Sequence, residues 1–386
     1  MPGPALLLLR LTLTDFRNYA TLSWRPAGHI AVLWGPNGSG KTNLLEALSL
    51  LVPGRGLRGA RIADLARRGP GAPGTWAVAA RLATPSGEVD IGTGTPPEGA
   101  ADRRVFRLDG AAPRSQAEVA ARVAAVWLTP QMDRLFQEGP AGRRRFLDRL
   151  VFALEPGHAR EVAAHDTAMA SRNRLLVAGN ADAAWLAGLE DAMARHAVAV
   201  TAARAALAAR LNATLAAGAA APFPAARLAL LCPIAERLAG GPALAAEDWL
   251  RATLAANRAR DAAAGSAAVG AHRADMALAD AATGLPAEQA STGQQKALLI
   301  GVVLGHAALL AEARGFAPLL LLDEPTVHLD AGRRSALFAA LQRLPAQSFL
   351  TSADRDALLP LRGMAEALRV TEGHVSHDAG FDAAAT

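Results

Sequence analysis

Lysine is nearly missing from this chain. Among 386 residues there are 40 Lys and Arg, and only Lys41 and Lys296 are lysine. Cysteine occurs once, at Cys232. A lone cysteine excludes an internal disulfide and a cysteine-based metal cluster, reads as a small buried hydrophobe, and makes a cytoplasmic location the default. Aromatic residues are 4% of the chain, with a single tyrosine. That is too few for a platform that stacks the bases of a single strand. We read no apolar run as approaching the roughly 18 residues of a membrane span, and Ala5 to Leu9 is too short for a signal-peptide core.

What remains is a chain that is 51% hydrophobic and 19% charged, with a formal net charge of +5. Its length allows two to three domains or lobes around sizeable cores. The positive balance points to an acidic partner, and nucleic acid gripped through duplex phosphates fits it best.

The scarcity of lysine makes the position of Lys41 informative. It closes Gly35-Pro36-Asn37-Gly38-Ser39-Gly40-Lys41-Thr42, a G-x-x-x-x-G-K-[ST] loop. The glycines let backbone N–H groups close around a polyphosphate at the positive end of the following helix. A slender ammonium can lie along such a loop where a planar guanidinium fits poorly. Thr42 offers a hydroxyl to Mg²⁺. The flanks agree with the motif. Gly28 to Trp34 reads as a buried strand, and Asn43 to Leu51 reads as an amphipathic helix stopped by Pro53-Gly54.

The pattern up to Leu128 predicts a mixed α/β lobe, with strands over Leu6–Phe16, Leu22–Trp24, Trp76–Ala83, Glu88–Gly92, Arg104–Leu108 and Val123–Leu128. From about Pro140 apolar residues step by three and four, and a long helix is expected from Asp182 to Ala216, in a helical hairpin or short bundle. His165 and His196 fall in these helices and read as packed or solvated side chains, since no His or Cys pair has ligand spacing. Chemistry returns near Val269. Phe316 to Leu322 reads as a buried strand emptying into Asp323 and Glu324. Placed over the phosphate loop, Asp323 would hold Mg²⁺ and Glu324 would polarise the attacking water. Ser291-Thr292-Gly293-Gln294-Gln295-Lys296 opens a long apolar helix and offers donors to a γ-phosphate.

Phosphate loop, Gln131, S-T-G-Q, Asp323-Glu324 and Leu329-Asp330 follow one another in the order of ABC-type ATPases, and among these the chain resembles the RecF family of the SMC-like group. Asp15 to Tyr19 matches that family's opening motif, Gly54 to Arg58 its glycine- and arginine-containing segment, Arg143 to Asp148 its R-R-x-F-L-D run, and Gly270 to Asp275 its G-P-H-R-x-D motif, with Ala271 in place of Pro. Ser291 to Lys296 matches its signature in full. Where the family usually shows Asp-Asp and S-E-L-D, this chain has Asp323-Glu324 and Val327-His328-Leu329-Asp330. Gln131 stands where Glu is frequent, and Thr351 stands at the position of the distal switch, His in many ABC-type ATPases.

The resemblance implies an α/β fold, an ABC-type P-loop ATPase head of two lobes with an inserted helical arm. The head would span residues 1–128 and 269–386 and the arm 129–268. It implies weak, DNA-stimulated ATP hydrolysis with ATP and Mg²⁺ as cofactors. Lys41, Asp323 and Glu324 would be catalytic, and Thr42, Asp323 and Gln131 would hold the metal. Gly35 to Thr42, Arg17, Asn18 and Gln131, with Ser291 to Gln294 of a second copy, would bind ATP in a homodimer. It further implies DNA as ligand, and RecR, RecO and RecA as partners. Arg55, Arg58, Arg61, Arg143, Arg144 and Arg145 are the candidates for DNA contact. Two other readings stand beside this one: an ATP-binding transporter subunit, whose signature would lie much nearer the phosphate loop, and a compact structural clamp, which would carry far longer heptad arrays.

Replacing Lys41 by Ala should abolish ATP binding, and Lys41→Arg should not restore it, because the guanidinium does not fit along the loop. Equilibrium titration with a fluorescent ATP analogue checks both; near wild-type affinity in Lys41→Ala would reject the loop as the site.

Overall fold

A computed structural model describes residues 5–69, 71–96, 102–179 and 182–382. In chain order the elements begin with β1 (Leu7–Phe16), β2 (Tyr19–Trp24), β3 (Ile30–Trp34), α1 (Lys41–Ser49), β4 (Ala77–Thr84), β5 (Gly87–Gly94), β6 (Val105–Leu108), α2 (Gln116–Arg122) and β7 (Ala125–Leu128). Next come α3 (Pro140–Leu154), α4 (His158–Ala178), α5 (Ala183–Ala216), β8 (Ala226–Leu231), α6 (Pro233–Gly240), α7 (Ala243–Ala256), α8 (Arg258–Ala264) and β9 (Asp275–Asp280). The chain closes with α9 (Thr292–Arg314), β10 (Leu319–Leu322), α10 (Ala331–Arg343), β11 (Ser348–Ser352), β12 (Glu366–Thr371), β13 (His374–His377) and α11 (Ala379–Asp382).

The chain divides into two compact units. The first gathers the described residues up to Asp133, those of 218–225 and those from Ser291 onward; the second comprises 134–217 and 226–290. The expected return to the head at residue 269 therefore falls at 291 instead. The reason is a pairing the sequence pattern did not show: β9 lies antiparallel against β8, from Ala226 opposite Asp280 to Leu231 opposite Asp275.

Two sheets build the first unit. One is antiparallel in the order β2-β1-β4-β5-β6. Leu8, Leu11, Leu13 and Phe16 of β1 are buried while Thr14 is exposed, the alternation of a sheet with one wet face. The other sheet runs β13-β12-β3-β11-β10-β7, parallel except for the β12–β13 hairpin. Its central strands are apolar on both faces, and Leu319 to Leu322 are all wholly buried. Such strands need helices on both sides.

The helix α9 corrects the reading of hydrophobic runs. It has 23 residues, and an 18-residue window within it has a mean hydropathy of 1.6, so it is long and apolar enough to cross a membrane. Every residue from Gln295 to Ala307 is buried within the unit. A helix that is apolar all round belongs to the inside of a large core.

In the second unit α4 and α5 form the expected hairpin, with Asp182 capping α5 through Ala184 N–H. Its core joins Met193, Ala197 and Val200 of α5 to Ile234, Leu250 and Leu254. A charged knot lies within this apolar surround. Arg172 is wholly buried, donates to Glu190 and Asp261 at 3.0 and 2.8 Å, and caps the Leu254 carbonyl at 2.7 Å. His196 is held by Glu161 at 2.7 Å, and buried His165 lies beside His272; neither belongs to a metal cluster among the described residues.

Arg172→Ala leaves two buried carboxylates short of their counter-ion, a change that costs roughly 3–5 kcal/mol in comparable buried pairs. Its urea midpoint should fall sharply, whereas Arg174→Ala, on the exposed side of the same helix, should stay within about 0.5 kcal/mol of wild type.

Candidate active site

The phosphate loop joins the end of β3 to α1, at the carboxyl edge of the parallel sheet where ligands of open α/β sheets bind. Two glycines are dictated by space. A Cβ on Gly35 would lie 2.1 Å from the Val370 carbonyl oxygen, and one on Gly40, at φ +116°, would lie 2.4 Å from Asn18 Nδ2. The cap of α1 is Gly40, which brings no side-chain acceptor, so the first N–H groups of the helix face an incoming anion. Lys41 lies along the loop and donates to the carbonyls of Gly35 and Pro36 at 2.7 and 3.0 Å. Burial pushes its pKa below the ordinary lysine value, with Glu324 and Asp323 opposing that shift.

Asp323 follows β10 and is buried. Its Oδ1 accepts the hydroxyls of Thr42 and Thr351, each at 2.8 Å. A hydroxyl and a carboxylate converging at the loop are hard oxygen donors that suit Mg²⁺. Glu324 carries Oε1 to 3.8 Å from Lys41 Nζ, and its Oε2 accepts the Ala353 N–H at 3.3 Å. Burial raises its pKa above the ordinary glutamate value, with the Ala353 N–H and the Lys41 ammonium opposing that shift. A cleft of about 320 Å³ joins these groups, lined among others by Asn37, Gly38, Lys41, Thr42, Gln131, Asp323 and Glu324.

The structure thus brings Asn37, Gly38, Gly40, Lys41, Thr42 and Gln131 of the expected ATP residues together in one cleft and sets the others aside. Gly35, Pro36 and Ser39 belong to the loop but do not line the cleft. Asn18 donates to the Ser39 carbonyl at 3.0 Å and receives Asn43 Nδ2 at 2.7 Å, so it shapes the loop from behind. Arg17 makes a two-pronged pair with buried Glu46, at 2.8 Å for each prong. Both residues were expected to bind ATP, and in this structure they hold the loop and its helix. Ser291, Thr292, Gly293 and Gln294 lie outside the lining, with Ser291 and Gln294 capping each other at the start of α9.

Arginine assignments change most. Arg143 is buried, pairs with Asp275 at 2.7 and 2.8 Å, and donates to the Leu135 and Glu138 carbonyls. It is not available to DNA. Arg144 donates to the Ala274 carbonyl at 2.9 Å. The R-R-x-F-L-D and G-x-H-R-x-D motifs therefore bind one another, with Asp275 as the partner of Arg143. Asp148 is taken by Arg204 and His158. Arg145, Arg55 and Arg61 are exposed. Arg58 is exposed too, but it lines the ATP cleft and donates to Asn43 Oδ1 at 2.8 Å.

Two residues escaped the sequence reading. Lys296 is buried beneath Glu324, donating to the Glu324 carbonyl and to Asp133, both at 3.1 Å. The rarity of lysine was a signal here, as it was for Lys41. Arg104 reaches the carbonyls of Leu50, Val52 and Gly54 and so closes the carboxyl end of α1; burial lowers its pKa to about 10.

A parallel-sheet P-loop domain with these carboxylates and a capped S-T-G-Q helix start defines the head of an ABC-type ATPase. The profile described as RecF/RecN/SMC N terminal domain matches residues 7–376. The DNA replication and repair protein RecF of Mesorhizobium japonicum is 47% identical over 371 residues, covering 95% of this chain and 96% of that protein. RecF of Rhizobium meliloti is 45% identical over 370 residues, covering 96% and 98%. The solved structure of the recombination mediator protein RecF-ATPrS in the RecFOR pathway superposes with a TM-score of 0.84 at 21% identity, covering 98% of this chain and all of that one. An SmcHead bound to the C-winged helix domain of ScpA reaches 0.52 at 17% identity, covering 96% of each. The chain belongs to the RecF family of DNA replication and repair proteins.

Glu324→Gln should keep ATP binding and lose hydrolysis by about 10² or more, because Thr42 and Asp323 are untouched while the proton acceptor is gone. Single-turnover phosphate release, read beside nucleotide affinity, checks this; normal turnover would remove Glu324 from the chemistry.

Proposed function

We propose that this chain is a slow, DNA-stimulated ATPase that closes into a homodimer on ATP and Mg²⁺. It grips duplex or gapped DNA through phosphates and acts in the cytoplasm with RecR and RecO to place RecA. The observation that carries the reading is the convergence of Thr42, Asp323, Glu324 and Lys41 on one cleft at the open start of α1. When ATP is bound, its β- and γ-phosphates take the Lys41 ammonium and the loop N–H groups. Thr42 and Asp323, with Gln131 on the cleft wall, are the groups that would hold Mg²⁺, which supplies charge neutralisation at the phosphates. Glu324 accepts the proton of the attacking water.

The exposed Ser291-to-Gln294 cap supports a dimer, since its donors are absent from the cleft of their own chain and suit the γ-phosphate of a second copy. Light scattering tests this directly. ATP should double the mass of wild type and of Glu324→Gln, and Ser291→Arg should block the change while sparing nucleotide binding. A protein that stays monomeric with bound ATP would overturn the dimer.

For DNA, the exposed Arg55, Arg61 and Arg145 replace the full set of six as the favoured contacts. Replacing Arg55 and Arg61 by Ala should weaken all duplexes alike and flatten the slope of log affinity against log salt, by about 0.9 for each phosphate no longer neutralised. Arg143→Ala should lower thermal stability and leave that slope unchanged. Salt titrations with ATP present decide it; parallel slopes for wild type and the double variant would mean these two arginines do not touch DNA.

A further inference from the structure

Thr351 occupies the position where many ABC-type ATPases carry a histidine that reports on the γ-phosphate. Strand order places it between the other parts of the site. β11 lies between β3, which leads to the phosphate loop, and β10, which leads to the carboxylates. Leu350 pairs with Leu322 and Thr351 with Leu33, so Thr351 stands level with Asp323.

We propose that Thr351 is a positioning residue that fixes both acidic groups of the site and does not sense phosphate. This rests on the ATPase reading above. A hydroxyl has one proton, and that of Thr351 goes to Asp323 Oδ1 at 2.8 Å. Its oxygen also accepts the Glu324 N–H at 2.9 Å. The side chain is wholly buried. No proton is left for a phosphate oxygen.

The bond to Glu324 has a second consequence. Glu324 sits at φ +48°, a left-handed conformation that side chains other than Gly, Asn and Asp rarely adopt and that surrounding structure must enforce. The end of β11 supplies that enforcement twice, through Thr351 Oγ1 at the Glu324 amide and through the Ala353 N–H at its carboxylate. Asp323 has the same dual support, from Thr42 on the loop and Thr351 on the sheet. One hydroxyl thereby sets the rotamer of the metal-side carboxylate and the backbone of the proton acceptor.

Thr351→Val keeps the shape and removes the hydroxyl; Thr351→Ser keeps the hydroxyl. Losing a hydrogen bond to a charged group corresponds to roughly 10- to 100-fold in an equilibrium or rate. Thr351→Val should lower single-turnover ATP hydrolysis by about that factor and raise the Mg²⁺ concentration needed for tight ATP binding about tenfold. Its affinity for a fluorescent ATP analogue in EDTA, and its ratio of ATP to ADP affinity, should stay within about twofold of wild type. Thr351→Ser should recover both the rate and the Mg²⁺ midpoint. A Thr351→Val protein with wild-type rate and Mg²⁺ midpoint overturns the proposal. So does one whose ATP-to-ADP ratio collapses, which is the mark of a phosphate sensor. So does one that loses melting temperature and EDTA binding together, which is the mark of a fold support. A wild type that neither binds nor hydrolyses ATP overturns the ATPase reading first and this inference with it.

Discussion

A carboxylate taken out of water must be met by donors or a cation, or it will not stay where it is. Asp323 is such a group, only 4% exposed at the end of an entirely apolar strand. The hydroxyls of Thr42 and Thr351 meet it from the loop side and the sheet side. That one requirement links the ends of β3, β11 and β10, fixes the start of α1 beside the sheet, and sets where Glu324 begins. Around it the unit spends its polar groups sparingly: Lys41 on loop carbonyls, Lys296 under Glu324, Arg104 on the end of α1.

The arginines divide by what they touch. Composition alone gives 38 of them once the two lysines are subtracted from 40, enough to suggest polyanion binding anywhere. In the second unit many serve as internal ties: Arg143 to Asp275, Arg204 to Asp148, Arg172 to Glu190 and Asp261. A guanidinium suits this work because its fork meets a carboxylate with two parallel hydrogen bonds. The Arg143-to-Asp148 motif, expected to face DNA, is thus tied through Arg143 and Arg144 to the Gly270-to-Asp275 motif in one internal clasp, and the arginine count overstates the basic surface.

Much of the first unit was legible from residues near one another in the chain. The phosphate loop and the buried strand before Asp323 lie where the local pattern placed them, as does the helix start at Asp182 in the second unit. The site residues that were assigned from a motif and stayed in the cleft, Lys41, Thr42, Gln131, Asp323 and Glu324, are those whose chemistry is written in their own few neighbours. Arg17 and Asn18 were legible as part of a motif but not in their role, because their targets, Glu46 and Ser39, are reached only when β1 and its turn fold against the loop.

By itself, the sequence determined the chemistry on offer: a polyphosphate loop with the one cation that fits it, a pair of carboxylates after a buried strand, and a helix start rich in donors. Those are local properties, set by backbone conformation and side-chain type over fewer than ten residues. Tertiary structure alone decided which groups act on which. Thr351 reaches Asp323 across 28 positions, Lys296 reaches Glu324 across 28, and Arg143 reaches Asp275 across 132. It also decided that β9 closes the second unit against β8 and that a helix apolar enough for a membrane is a core helix. Hydrogen bonds and strand pairings of this range depend on register and packing between distant segments, and no local pattern encodes them.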